Sequence, residues 1–305
     1  MLDFRLYTFL NLCKTMNYTR TAKELCITQP AVTQHIHFLE EHYGCKLFSY
    51  EKKVLRLTPQ GEILKMQVHA LDYRSRKLEE LLREPEKIRL RVGATKTIGD
   101  YLAAPVISSF LKKNPGSQVS LLVNNTADLL RGLDEGELDF AMIEGFFDKG
   151  EYGCRLMRRE PFVGICSPEN PLADSKVPVR RLLGEHLIVR EQGSGTRAVL
   201  EHFLEEHNCT VDGFRAVTEV SDFRPIKELV RENLGVSFLY RTVLEEELER
   251  GELAILQLTD ERGKKIHLSH EFNLVYRTEN GFRERWADFF SLSAEMPADL
   301  ETPPV

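Results

Sequence analysis

At 305 residues, 42% hydrophobic and 29% charged, the chain has room for two or three folding units and the composition of a globular protein. A net charge of −6 excludes a protein that coats nucleic acid over its whole surface, and no run approaches the roughly 20 apolar residues of a membrane span. Charges are scattered through the apolar positions of the N-terminus, which therefore does not read as a signal peptide; a cytoplasmic location without membrane contact is expected.

The charge is unevenly placed. Residues 1–87 hold 14 basic and 11 acidic side chains, and the remainder holds 27 and 36. An acidic body with a mildly basic head fits a local contact with a polyanion. The six cysteines, at 13, 26, 45, 154, 166 and 209, form no CxxC pair and have no histidine cluster beside them at metal-ligand spacing. They are expected to be reduced, packed thiols, with no metal and no other cofactor.

In chain order, Leu2, Leu6, Phe9, Leu10 and Cys13 share one face of a first helix. A short second helix covers 19–25, and a third runs through Pro30 to Tyr43, where Gly44 can stop it. Residues 46–57 can fold as two short strands with Lys52 and Lys53 near the turn. Thr58 is placed to N-cap a long helix that carries Pro59 in its first turn and ends at Pro85. Along it Leu64, Val68, Leu71, Leu78 and Leu82 step by four and three, if Ser75 is counted as a polar interruption. That spacing is a heptad seam suited to pairing with a second chain; lying on its own domain is the alternative.

From Ile88 onward strands and helices alternate, which implies α/β units with parallel strands. The apolar runs 88–94, 118–123, 138–143, 162–166, 187–189 and 236–239 read as strands, and 101–113, 127–132, 196–208 and 224–233 as helices. A late strand at 270–276 and a helix at 282–293 are expected to rejoin the first subdomain, and the tail 296–305 to fray.

The segment from Thr21 to Phe48 carries the main functional signal. Ala22 lets two helices approach closely, Leu25 and Ile27 bracket a turn, and Val32, Ile36, Leu39 and Tyr43 form one inward stripe. The opposite face presents Pro30, Thr33, Gln34 and His37, short or amide-bearing groups suited to base edges in a major groove. Thr28 and Gln29 lie at the helix start, where backbone N–H groups can also meet phosphate. Spacing alone would equally describe a small bundle with a wet face.

The whole string, however, resembles the DNA-binding signature of the LysR family: Ala22, Leu25, Thr28-Gln29-Pro30-Ala31-Val32-Thr33, Leu39-Glu40, Gly44 and Leu47-Phe48, followed by Leu57-Thr58-Pro59-Gln60-Gly61. Two departures stand out. Thr21 takes the place of a usual alanine, and Tyr50 that of a usual arginine, so a phosphate contact would pass to Lys52, Lys53 or Arg56.

The resemblance extends over the full length and implies a fold. It is an N-terminal all-α winged helix-turn-helix at 1–57, a dimerising linker helix at 58–86, and an α/β sensor domain of two subdomains, periplasmic-binding-protein-like, at 88–305. The first subdomain would take about 88–161 and 268–305, the second about 162–267. It further implies double-stranded DNA and RNA polymerase as partners, and a homodimer or dimer of dimers.

Two loops read as ligand grips. After the strand ending near Gly93, Thr95, Lys96 and Thr97 sit at the mouth of a helix; in 190–197, Ser194, Gly195 and Thr196 open another. Either loop alone could be an N-cap without a ligand. Together they resemble the cleft of the LysR effector domain, with Phe223, Ile143 and Glu144 as further lining residues. A small anionic effector, an organic acid or a sulfur-type oxyanion, is expected. No Gly-x-Ser-x-Gly elbow, HExxH or Walker loop is present, so no catalytic residue and no enzyme activity are expected.

Overall fold

The structure is a computed structural model that describes residues 2–85, 87–278 and 286–294. The chain separates into two compact units, one built mainly on Met1–Ile88 and the other mainly on Arg89–Leu130 and Leu138–Arg277.

In the first unit, α1 (Phe4–Thr15), α2 (Tyr18–Glu24) and α3 (Gln29–Tyr43) precede a hairpin of β1 (Phe48–Glu51) and β2 (Val54–Leu57), and then α4 (Pro59–Arg83). Side chains that compete for backbone donors set the starts. Asp3 accepts from Arg5 N, Asn17 from Arg20 N, Thr28 from Ala31 N and Thr58 from Gly61 N. Gly44, in the left-handed region at φ 66°, ends α3. Leu6, Phe9, Leu10, Leu12 and Cys13 of α1 pack on Ile36 and Leu39 of α3, with Leu47, Phe48, Leu55 and Val68 closing the core.

One expected inward residue is not inward. Tyr43 is 47% exposed, its ring edge-on to His42, because α3 outruns the core after Leu39. The heptad residues of α4 divide as well. Val68 is buried and Leu64 partly so, whereas Leu71, Leu78 and Leu82 are exposed, as are Ile63 and Met66.

The family motif around the hairpin has a mechanical cause. Buried Glu40 accepts from Leu47 N at 3.0 Å and from Lys46 Nζ at 2.6 Å, fixing the chain where it leaves α3. On the return, Thr58 donates through its hydroxyl to Lys46 O at 2.6 Å, and Thr58 N donates to Leu47 O at 3.0 Å. Gly61 is obligatory there, since an added Cβ would stand 2.3 Å from Leu47 O.

The second unit is organised on one mixed sheet. Its strands are β3 (Arg89–Ala94), β4 (Gln118–Val123), β5 (Phe140–Ile143), β6 (Gly153–Cys166) and, later in the chain, β10 (Ser237–Tyr240), β11 (Ala254–Ile255) and β13 (Leu268–Tyr276). The order is β10-β6-β13-β5-β3-β4, with β11 also on β6. Around β3 the pairing is parallel, and β13 is antiparallel to both β5 and β6. Smaller pairs are β7 (Lys176–Pro178) with β12 (Gln257–Thr259) and β8 (His186–Val189) with β9 (Ala216–Glu219). The helices are α5 (Lys96–Tyr101), α6 (Ala103–Lys113), α7 (Thr126–Asp134), α8 (Gly195–Glu206), α9 (Phe223–Arg231), α10 (Glu245–Glu249) and α11 (Ala287–Ala294).

Three elements differ from expectation. The strand expected at 162–166 begins at Gly153 and pairs along its whole first part with β13. Its Arg155, Arg158, Arg159, Glu160 and Pro161 break the apolar alternation that would have revealed it. A register shift between Phe272 and Asn273 leaves Met157 as the extra residue of a bulge in this ladder. The helix expected over 101–113 is two, split at Leu102, and the first already starts at Lys96. Of the expected helix at 282–293, residues 282–285 lie outside the described residues, as does the tail 296–305; Trp286, Phe289 and Phe290 pack around Phe140.

Removing the Glu40 carboxylate strands a buried N–H, so Glu40→Ala should cost about 1–3 kcal/mol. Gly61→Ala, which forces Leu47 to move, should cost at least as much. Urea denaturation of the full chain, followed through the first unit, checks both. A Glu40→Ala chain as stable as the parent would remove this anchor.

Candidate nucleic-acid interface and effector cleft

On α3 the inward residues Val32, Ile36 and Leu39 are at most 3% exposed, and Pro30, Gln34 and His37 are exposed on the other side. Thr28 commits its hydroxyl to Ala31 N as the cap. Gln29 Nε2 donates to Thr33 Oγ1 at 2.9 Å, and Thr33 donates to Gln29 O, so these two are held in place by each other. His37 lies 3.9 Å from the Glu40 carboxylate.

The hairpin tip is Lys52-Lys53, both exposed and both at positive φ, 49° and 68°. A two-residue turn with both residues left-handed is the type I′ geometry that asparagine and glycine usually supply. Arg56 is exposed, 3.4 Å from Glu51 across the hairpin. Tyr50, on β1, is 68% exposed.

In the second unit the ends of β3 and β5 and the start of α8 converge. Thr95, Thr97, Glu144 and Thr196 are each at most 2% exposed. Thr95 Oγ1 accepts from Glu144 N at 3.3 Å, and Thr196 Oγ1 donates to Glu144 Oε1 at 3.2 Å. The hydroxyl of Tyr240 is 3.5 Å from Glu144 O. Gly145 and Gly195 permit this approach, since a Cβ on either would lie within 3.4 Å of the other's Cα.

Arg190 is 4% exposed, forks onto Glu191 at 2.8 and 2.9 Å, and lies over the ring of buried Phe223 at 4.5 Å. Ser194, 6% exposed, occupies the N-cap position of α8 without making a cap bond. Lys96 is at the mouth, between Asp100 at 3.1 Å and Asp222 at 3.2 Å. Burial disfavours its ammonium, yet those carboxylates hold its pKa above the ordinary lysine value.

Five polar atoms in this region are buried without a hydrogen-bond partner among the described residues: Thr97 Oγ1, Thr126 Oγ1, Glu144 Oε2, Arg190 Nη1 and Ser194 Oγ. Burial pushes the Glu144 carboxyl up to about 7, opposed by the nearby hydroxyls of Thr97, Thr196 and Thr95 and by the Arg190 charge. The arrangement offers hydroxyls, one incompletely used guanidinium and one carboxyl that changes protonation near neutrality.

Sequence reasoning gathers Thr95, Lys96, Thr97, Glu144, Ser194, Gly195, Thr196 and Phe223, and the structure places them around this one region. Ile143, by contrast, is a fully buried residue within β5. Thr126 and Tyr240 escape that reasoning, while Arg190 opens the 190–197 segment that reads as a ligand grip but carries no role of its own there.

The profile described as "Bacterial regulatory helix-turn-helix protein, lysR family" matches residues 4–62, and "LysR substrate binding domain" matches 83–296. The chain is 30% identical over 250 residues to the uncharacterized HTH-type transcriptional regulator YeiE of Escherichia coli K12, covering 82% of this chain and 84% of that one. Full-length LysG from Corynebacterium glutamicum with bound effector Arg shares the fold at TM-score 0.66, with 19% identity and 97% and 99% of the two chains covered. The regulatory domain of Synechocystis CcmR in complex with 2-PG superposes at TM-score 0.59, with 25% identity over 69% of this chain and 99% of that domain. Among the described residues no helix is long and apolar enough to cross a membrane. With a DNA-binding and an effector-binding module both matched and in their expected order, the chain belongs to the LysR family of DNA-binding transcriptional regulators.

Proposed function

We propose that this regulator reads double-stranded DNA through Thr28, Gln29, Pro30, Thr33, Gln34 and His37 of α3 and its cap, with Lys52, Lys53 and Arg56 of the hairpin on phosphate, and that a small anion in the cleft of the second unit controls it. The division into a head at 1–57, a linker helix at 58–86 and a sensor at 88–305 belongs to the same proposal. One observation carries the anion: the hydroxyls of Thr126 and Ser194 and a guanidinium nitrogen of Arg190 are buried near Glu144 without partners among the described residues. Such donors cost free energy until something accepts from them.

An anion beside Glu144 would further disfavour the carboxylate. It should therefore bind with proton uptake, and its affinity should rise as pH falls toward about 7, by up to tenfold per pH unit, and level off below it. The unpartnered Glu144 Oε2 favours one other ligand, a zwitterion whose ammonium meets Glu144 while its carboxylate meets Arg190 and Ser194. That ligand needs the ionised carboxyl, so its affinity should rise as pH increases toward about 7 and level off above it. The structural neighbour with bound Arg is consistent with this second reading.

The exposed stripe Ile63, Met66, Leu71, Leu78 and Leu82 on α4 supports a homodimer through this helix. Exposed Leu121, Leu122 and Val123 on edge strand β4 supply a second surface, fitting a dimer of dimers. An effector can alter transcription only by preferring one arrangement of the subdomains, which then changes contact with DNA and RNA polymerase.

Thermal-shift titration of the full chain with sulfite, thiosulfate and small carboxylates, repeated across neutral pH, tests the ligand class. The shift should vanish in Thr97→Val with DNA affinity intact, and Glu144→Gln should flatten its pH dependence. Gln34→Ala should do the reverse, weakening specific DNA binding by about 1–3 kcal/mol while keeping the ligand response. Replacing Lys52 and Lys53 by alanine should lower the slope of log K against log salt by about 0.9 for each phosphate no longer neutralised. Equal loss of DNA binding in Thr97→Val and Gln34→Ala would falsify this division of labour.

A further inference from the structure

We infer that Tyr50 is a further DNA-contacting residue, an uncharged one, whose ring lies on a deoxyribose and whose hydroxyl donates to a phosphate oxygen of the strand that passes between α3 and the hairpin. The hairpin has two unlike faces. Successive strand residues point to opposite sides, so Phe48 and Tyr50 share one face with Leu55 and Leu57, and Ser49 and Glu51 share the other with Val54 and Arg56. The first face is turned to the helices, because Phe48 and Leu55 belong to the core of the first unit and Leu57 packs against it. Tyr50 continues that inner face past the end of the core and is 68% exposed.

Its phenol is uncommitted. Among the described residues the other two exposed tyrosines are engaged, Tyr7 by the carboxylate of Asp72 and Tyr43 by the ring of His42. Tyr50 makes no hydrogen bond and no ring contact among them. Its neighbour on the helix side is Tyr18, which opens α2: burial, and next the charge that Tyr50 would carry, push the Tyr18 phenol up to about 12. That proximity places Tyr50 on the inner side of the hairpin independently of the strand register. Lys52, at the tip, lies about 7 Å further along the strand at the usual rise per residue.

With α3 in a major groove, a hairpin beside it flanks the sugar–phosphate strand that bounds that groove, and the face turned to the helices is the face turned to that strand. Lys52 and Lys53 bring charge at the tip, and Arg56 brings it on the outer face, where it also holds Glu51. The inner face carries no charge; Tyr50 gives it a ring and a hydroxyl donor, and tyrosine hydroxyls are among the groups that proteins set against phosphate. Such a contact differs from that of a cation in one measurable way. It releases no counterion, so it adds affinity without adding salt dependence. The inference rests on the hairpin lying on DNA, as proposed above.

The test is binding of the full chain, at several salt concentrations, to a duplex that the parent chain selects from a random-sequence library. Tyr50→Phe should weaken binding about tenfold, the effect of losing one hydrogen bond to a charged acceptor, and leave the slope of log K against log salt unchanged. Tyr50→Ala should weaken it further. Tyr50→Arg should recover affinity at low salt and steepen the slope by about 0.9. All three chains should melt with the parent, since the side chain is exposed. Binding of Tyr50→Phe equal to the parent's overturns the proposal, and so does lost affinity that comes with a lowered melting temperature. The chain with Lys52 and Lys53 both replaced by alanine separates two failures. If its slope falls while Tyr50→Phe binds as the parent, only Tyr50 is misassigned; if its slope also stays, the hairpin itself is off the DNA and both readings fall.

Discussion

The sensor turns on a carboxyl that cannot reach water. Glu144 follows β5, is 1% exposed, accepts a hydrogen bond from Thr196 and donates its own N–H to Thr95. Desolvating a carboxylate costs several kcal/mol unless donors replace the lost water, and the surrounding hydroxyls do so only in part. The group therefore sits near the point where its two protonation states are equally stable. Thr95 precedes α5 and Thr196 opens α8, so the same carboxyl that is poorly solvated also ties these two elements together. The effector proposed above would have to satisfy, or displace, what Glu144 already holds.

The first unit solves a different problem. A hairpin of two four-residue strands has too little surface to hold itself, and here it is fixed at both ends by side chains that answer backbone groups of Lys46 and Leu47. Glu40 and Thr58 act from α3 and the start of α4, so the hairpin inherits the position of α3. The bare glycine at 61 is what allows α4 to begin against Leu47.

Much of this was legible because it depends on local rules. Thr58 with Pro59, Gly44 and the Val32-Ile36-Leu39 stripe declare helix ends and a buried face through neighbours within one or two turns. What escaped depends on partners distant in sequence. The first half of β6 is charged and yet a strand, because β13 pairs with it about a hundred residues later. Lys96 reads as a spare cation, but Asp222, far along the chain, comes to within 3.2 Å. Arg190 opens a segment that reads as a ligand grip, but its burial over Phe223 follows only from how α9 packs. Tyr43 fits the helical period, and only the extent of α1 decides that the core stops short of it.

Both candidate sites carry local cost that the surrounding packing offsets. Lys52 and Lys53 hold left-handed backbone at roughly 1–2 kcal/mol each, where asparagine and glycine would be relaxed. The cleft holds five buried polar atoms without partners among the described residues, where apolar side chains would be quieter. A sequence selected only to fold would remove both. Strain and unmet hydrogen bonding can persist where something outside the chain completes them, and phosphate at the hairpin tip and a small charged molecule near Glu144 are what the proposed function would supply. The hairpin tip and the region around Glu144 are thus two of the places where local cost gathers, beside left-handed Met16 and Cys26, and the capped helices and packed cores elsewhere supply the stability that tolerates them.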